Sequence, residues 1–350
     1  MLLKHYLNGD DTDIALKHKG KSLTYLALKE AVAQLANWII NNNVSRIGIA
    51  FDNSFAWVVS DLACQQAQVC CVPIPLFFSE TQQRHVIEES QCEYLLTSEA
   101  LTLFPSSKKE ILSDSLNIIG YALVSDSTAV FMPTGTNKIT FTSGSTGTPK
   151  GVCLSSESQW RVAKSIDGAF EQDDVHHLCL LPLSTLLENI AGIYAPLFHG
   201  GTVELASASA RGFEGSRLVN PHALLDLIDS LQPTSIILVP ELLMMLLQAC
   251  LKGWLPPVSL TFIAVGGAHV SPIVLAQARA KGLPVYEGYG LSEAVSVSTL
   301  NTTQCNVPGS AGKALGHNTL SIDNGEIVVT GNHFLGYLNQ PESFYPTQVR

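Results

Sequence analysis

Charge is scarce in this chain of 350 residues: 14% are charged, and 20 Lys and Arg stand against 30 Asp and Glu, a formal net charge of −10. A nucleic-acid site needs clustered cations that displace condensed counterions, and no such cluster occurs. Nucleic acid is therefore not an expected partner. Since 46% of the residues are hydrophobic, the low charge marks a chain with ample core material rather than a disordered one. Long apolar runs are missing too. The most apolar stretch, "SIILVPELLMMLLQACLKGW", is interrupted by Pro240, Glu241, Gln248 and Lys252, and reads as a strand running into a helix instead of a membrane span. The opening "MLLKHYLNGDDTD" has no charged-then-apolar signal, and a cytoplasmic location is expected. Eight cysteines, Cys64, Cys70, Cys71, Cys92, Cys153, Cys179, Cys250 and Cys305, form no CxxC pair and no regular spacing, so they are expected to be reduced core residues.

What is present is alternation. "SRIGIAF" leads into "SFAWVVSDLACQQA", "VCCVPIP" into "SETQQRHVIEES", and "TSIILVP" into "ELLMMLLQACLKG"; "LTFIAVGG", "SPIVLAQARAKG" and "LPVYEGYG" continue the series. Strands apolar on both faces, separated by amphipathic helices, predict an α/β fold of mostly parallel, helix-covered sheets. "TLLENIAGIYAPLFHG" reads as a helix ended by glycine, and "SIDNGEIVVTG" as a hairpin around Asp323 to Gly325. The expected division is 1–132 and 133–300 as two α/β segments and 301–350 as a small β piece, with Leu101 to Pro133 connecting the halves. The chain shows no internal repeat.

One stretch can neither pack a core nor easily hold a helix. "TSGSTGTPKG", Thr142 to Gly151, follows the strand "NKITF" and precedes a helix expected from about Ser155. Its glycines let backbone N–H groups approach a ligand, its hydroxyls add donors, and Lys150 adds a mobile charge, a combination that suits phosphate oxygens. A surface turn is the alternative, since such residues commonly form turns. A Walker loop is excluded, because Pro149 precedes Lys150 and Gly151 follows it. The dinucleotide fingerprint fails as well: in "GYGLSE", Glu293 stands where the third glycine would fall.

The stretch "ITFTSGSTGTPKGV" resembles the phosphate-loop signature of the adenylate-forming superfamily, which includes acyl-CoA synthetases, luciferases and peptide-synthetase adenylation domains. "LLPLSTLLEN", "VGGAHVSP" followed by "YEGYGLSEA", and "GEIVVTGNHFLGYLNQPE" match the family in the same order, from about Ile139 to Glu342. The resemblance implies the layered two-sheet fold of the N-terminal domain of medium- and long-chain acyl-CoA synthetases. It implies that Thr142, Ser143, Gly144, Ser145, Thr146 and Gly147 hold the β- and γ-phosphates of ATP with support from Lys150. Within Glu287, Gly288, Tyr289, Gly290 and Ser292, it implies that Tyr289 lies against adenine and Ser292 reaches the α-phosphate. Glu293 would coordinate Mg²⁺, and Gly266, Gly267 and Ala268 would form a wall between adenine and acid. An aromatic face suits a purine, a hydroxyl donates to an anion, and a carboxylate is a hard ligand for Mg²⁺.

The implied reaction is attack of a carboxylate on the α-phosphorus of ATP, followed by transfer to CoA or to the phosphopantetheine of an acyl carrier protein. It needs positioning and charge stabilisation rather than a protein nucleophile. Two departures from the family stand out. Thr185 occupies the position of the family's histidine in "LPLSTLLE", close to the acid in relatives. The same region lacks the aspartate with which peptide-synthetase domains bind an α-amino group; beside Leu183, Leu186 and Leu187, an apolar, fatty-type acid is expected. The threonine-glycine-aspartate motif, the hinge and the lysine-bearing C-terminal domain do not follow "GYLNQPE", so a separately supplied C-terminal domain is an expected partner, and a non-catalytic nucleotide- or acyl-binding protein is the alternative. His176, His177, His199, His222 and His269 have no metal-site spacing and are expected to be structural or superficial. Glu188 is either a structural partner at a helix start or a support one step behind the site.

Overall fold

The computed structural model describes residues 3–99, 107–123, 129–142, 149–169 and 174–350. Its larger sheet has nine strands in the spatial order Lys313–Ala314, Ser296–Leu300, Val285–Leu291, Phe262–Val265, Ser235–Leu238, His176–Cys179, Thr202–Leu205, Ile14–His18 and Lys21–Thr24. The six from Val285–Leu291 to Ile14–His18 are parallel, and the edge pairings are antiparallel. An eight-stranded sheet runs Gly336–Tyr337, Lys150–Leu154, Lys138–Thr142, Cys70–Pro73, Arg46–Ala50, Tyr94–Thr97, Ile118–Ala122 and Lys108–Ser113, with a parallel centre of four strands. This is the expected α/β class, and its central strands are buried on both faces, as in Ser235–Leu238 and Cys70–Pro73.

The helix Phe55–Ala67 shows how the two sheets are joined. Ser54 caps it by accepting from the Trp57 amide, and every residue from Phe55 to Gln65 is buried. A helix hydrophobic nearly all round must be covered on all sides. This one packs against Arg46–Ala50 and Cys70–Pro73 of one sheet and Ile14–His18 of the other. The cysteines are free, all buried except the half-buried Cys305. Among the described residues no helix is long and apolar enough to cross a membrane.

Three expectations need correction. The sheets cross the boundaries of 1–132, 133–300 and 301–350: Ile14–His18 pairs with Thr202–Leu205, whereas Lys138–Thr142, Lys150–Leu154 and Gly336–Tyr337 complete the sheet of the first segment. Strand partners are chosen by open sheet edges, which local composition does not encode. The connection from Leu101 to Pro133 contains two strands, Lys108–Ser113 and Ile118–Ala122, that extend the eight-stranded sheet. Finally, Lys150 and Gly151 are strand rather than loop, with Thr142 opposite Lys150 in an antiparallel pair. Glycine is needed there because a Cβ on Gly151 would lie 2.9 Å from Ile139 and 3.0 Å from Leu338. The helix follows at Ser156–Asp167, capped by Ser155. The hairpin at Asp323 forms as expected: Asn324 and Gly325 have φ of 52° and 85°, the conformation of a type I′ turn.

Candidate active site

A cavity of about 480 Å³ lies along one face of the nine-stranded sheet. Space exists there because the sheet presents small residues: Ala264, Gly266, Gly288 and Gly290 line it. Gly290 is required for a second reason. The pairing of Val285–Leu291 with Ser296–Leu300 shifts register between Tyr289 and Gly290, and a Cβ on Gly290 would fall 1.7 Å from the Ser296 carbonyl oxygen. At the other end of the cavity are Ser235, Phe262 and His177, at the starts of their strands.

Of the residues singled out in the sequence, Thr142, Thr185, Gly266, Gly267, Gly288, Tyr289, Gly290 and Ser292 line this one cavity. They come from four segments: parallel register sets the Gly266 and Gly288 segments side by side, Thr142 comes from the eight-stranded sheet, and Thr185 lies outside both sheets. Ser143, Gly144, Ser145, Thr146 and Gly147 lie outside the described residues. Ala268 is exposed and Glu287 is buried, and neither lines the cavity. Burial raises the Glu287 carboxyl above its usual range, opposed by the Gly309 amide, Arg279 and His269, and its Oε2 has no hydrogen-bond partner. Thr185 donates its hydroxyl proton to the Pro182 carbonyl at 2.7 Å, which leaves only oxygen lone pairs for a ligand.

Glu293 and Lys150 meet through a residue that sequence reasoning did not single out. The Tyr337 hydroxyl donates to Glu293 Oε1 at 2.7 Å, and Lys150 Nζ lies 5.8 Å from the centre of the Tyr337 ring. Burial first, and then the bond to Glu293, push the Tyr337 phenol well above its usual range, so it remains a donor. Tyr289 is raised in the same direction by burial and by the nearby Glu293 carboxylate. The only signal for Tyr337 was its place in "GYLNQPE". Ser296 was missed as well: it lines the cavity, its buried Oγ has no partner, and it follows Val295 with both residues at positive φ, 60° and 84°. A β-branched residue in that region is strained, and such strain concentrates at functional sites.

His177, expected to be structural, opens on the cavity. Its Nδ1 lies 2.9 Å from Ser235 Oγ and its Nε2 3.3 Å from Glu188 Oε1, while Glu188 Oε2 accepts from the Leu181 amide at 3.3 Å. Glu188 thus supports a cavity residue from behind. It begins a π-helix, Glu188–Tyr194, where a plain α-helix was expected, followed by Ala195–His199 and Gly200 at φ 97°. Pro196 cannot donate to the Gly192 carbonyl, and the Cys179 thiol reaches that oxygen at 3.6 Å instead. Among the described residues, His177, Cys179 and Glu188 bring ligand-type atoms within 4.8 Å of one another, but each has a hydrogen-bond partner in the protein.

A match of residues 4–338 to the model of the "AMP-binding enzyme" family covers nearly the whole chain. The chain belongs to that family. Among relatives, it is 25% identical over 349 residues to the 2-succinylbenzoate--CoA ligase of Bacillus pumilus, covering 94% of this chain and 69% of the ligase. It is 26% identical over 355 residues to the feruloyl-CoA synthase of an Amycolatopsis species, with 94% and 69% covered. It is 23% identical over 354 residues to a linear gramicidin synthase of Brevibacillus parabrevis, where 95% of this chain spans 7% of that protein. The o-succinylbenzoate CoA synthetase of Bacillus subtilis, solved with its acyl-adenylate intermediate, superposes with a TM-score of 0.79 at 23% identity, covering 100% of this chain and 74% of that one. The fold of this AMP-binding chain is that of the N-terminal domain of adenylate-forming ligases.

Proposed function

We propose that this chain binds ATP and a carboxylic acid in the cavity and activates the acid as an acyl-adenylate, for transfer to the thiol of CoA or of a carrier-protein phosphopantetheine. The observation that carries this is the convergence of Gly266, Gly267, Thr142, Thr185, Gly288 to Gly290 and Ser292 on one cavity, with Glu293 next in the chain. A carboxylate oxygen attacks the α-phosphorus, the bond to pyrophosphate breaks, and pyrophosphate leaves with the electron pair; no proton moves. The thiol then attacks the acyl carbon, losing its proton, and AMP departs.

The roles follow from residue chemistry. Tyr289 offers a face to the purine, and Ser292 offers a hydroxyl donor to the α-phosphate. Gly288 and Gly290 let the nucleotide approach the main chain. Glu293 is half-buried with one oxygen bonded to Tyr337, which leaves the other for a hard cation. One carboxylate suits Mg²⁺, which keeps waters and takes phosphate oxygens as its remaining ligands. When bound, the ion neutralises charge on the phosphates and departing pyrophosphate. The loop 143–148 completes the phosphate site in this proposal, with Thr146 and Lys150 in supporting roles.

The acid is apolar over most of its length, since Leu186, Leu187, Ala191, Ile237 and Phe262 line the cavity. Two of the relatives named above act on succinylbenzoate and ferulate, which favours a compact aromatic acid over a long-chain fatty acid. Thr185 favours a second reading, a protein that binds nucleotide and acid without turnover, because its proton is committed to Pro182. Acid-dependent pyrophosphate release by the protein, and its loss in Ser292→Ala and Glu293→Gln, tests the proposal; full release by both variants overturns the site, and tight binding with no release supports the second reading.

A further inference from the structure

The cavity extends beyond the place where a nucleotide would meet an acid. Ser235 pairs with Phe262, and Leu238 with Val265, the residue before Gly266. At the strand rise of about 3.3 Å per residue, Ser235 lies roughly 10 Å along the sheet from the Leu238–Val265 pair that precedes Gly266. Both Ser235 and Phe262 line the cavity there, and Phe262 is fixed by stacking on Tyr286 with ring centres 4.8 Å apart.

This inner end is polar by construction. Ser235 and His177 are 4% and 1% exposed, and Glu188 is fully buried. The direction of the hydrogen bonds follows from the one donor whose identity is certain: the Leu181 amide donates to Glu188 Oε2, so Glu188 is the accepting end of the chain. In the neutral imidazole, Nε2–H donating to Glu188 Oε1 leaves Nδ1 to accept the proton of Ser235, at contacts of 3.3 and 2.9 Å. Ser235 Oγ has no other partner among the described residues. It turns lone pairs, and no proton, to a cavity that is otherwise apolar at this end.

We infer that the inner end of the cavity selects acids carrying a hydrogen-bond donor, a hydroxyl or an amino group, roughly 10 Å from the carboxylate, which Ser235 Oγ accepts while His177 and Glu188 hold it in place. This rests on the acid-activation proposal and narrows its substrate class. His177 and Glu188 are positioning residues; Ser235 is the one that touches the acid. A donor-bearing acid completes the bonding of Ser235, whereas an acid lacking the group leaves a desolvated oxygen unpaired, and sites of that kind discriminate strongly.

The test compares matched acids of that length: 4-hydroxycinnamic against cinnamic and 4-methoxycinnamic acid, and 8-hydroxyoctanoic against octanoic acid. Binding is measured by calorimetry with ATP present, beside pyrophosphate release. The expected result is that one hydroxylated acid of a pair binds about tenfold tighter than its unsubstituted and methoxy partners, and that Ser235→Ala abolishes the preference by weakening the hydroxylated acid relative to its partners. Should the alanine variant fail to fold, Ser235→Gly is read the same way, with thermal melting as the control. Equal binding of the matched acids to the unaltered protein, or an equal loss for both in the variant, overturns the inference. Binding with the expected preference but no pyrophosphate release overturns turnover and leaves the recognition site standing; no binding of any acid overturns both.

Discussion

Two buried clusters of ionisable side chains lie close to the same π-helix and behave differently. In the first, Lys138 Nζ bonds Asp61 at 2.7 Å, the Tyr194 hydroxyl at 3.0 Å and the Asn189 side-chain oxygen. Asp61 in turn accepts from Tyr194 at 2.6 Å and Asn189 at 3.1 Å on its other oxygen. Burial, then the Asp61 charge, push the Tyr194 phenol far above its usual range, which keeps it a donor. All three ammonium protons and both carboxylate oxygens are used within the protein. The second cluster, Glu188, His177 and Ser235, stops one hydrogen bond short and does so at a cavity wall. A closed polar network specifies packing, and an open one specifies a ligand.

The contrast is broken most severely at Asp61. Asp61→Ala strands a buried ammonium and is expected to cost about 3–5 kcal/mol, read as a lower urea midpoint. Glu293→Gln is the opposite case. It should weaken Mg²⁺-dependent ATP binding about 10–100-fold, measured by titration, with an unchanged melting temperature. Between these classes stands a second histidine. Burial, opposed by the Val297 backbone, lowers the pKa of the half-buried His317 from 6.5 to about 4. The unfolded chain therefore binds the proton first, so this stability is complete above pH 6.5 and is lost as pH falls toward 4. A loss of about 1–2 kcal/mol, discounted for partial exposure, is expected, and His317→Gln should flatten that slope in urea melts at pH 7 and pH 4.5. Tyr337→Phe is the mildest change. Removing its bond to Glu293 should weaken nucleotide binding about three- to tenfold without altering the fold, measured by the same titration.

Alternation of apolar strands with capped helices made the α/β class legible, and the cysteines are free, with all but Cys305 buried, as their apolar surroundings indicated. The segments around Gly266 and from Gly288 to Ser292 were legible through the motifs that their glycines belong to, and at Gly290, where a Cβ would fall 1.7 Å from the Ser296 carbonyl oxygen, the glycine has a steric reason. Harder to read was everything that depends on partners far along the chain. The strand Ile14–His18 joins Thr202–Leu205 across nearly 190 residues, and nothing in either stretch names the other. His177 looked like an unremarkable strand residue until parallel register set it beside Ser235.

The sequence by itself determined the α/β class and many of its strands and helices, through local periodicity, and, through motifs that resemble the adenylate-forming superfamily, the family to which the chain belongs. Only the tertiary structure decided which strands share a sheet, that Tyr337 bonds Glu293, and that Glu188, His177 and Ser235 form a chain ending at a cavity. Those features arise from contacts between segments 11 to nearly 190 residues apart. Their geometry is set by sheet register and packing, which no single segment contains.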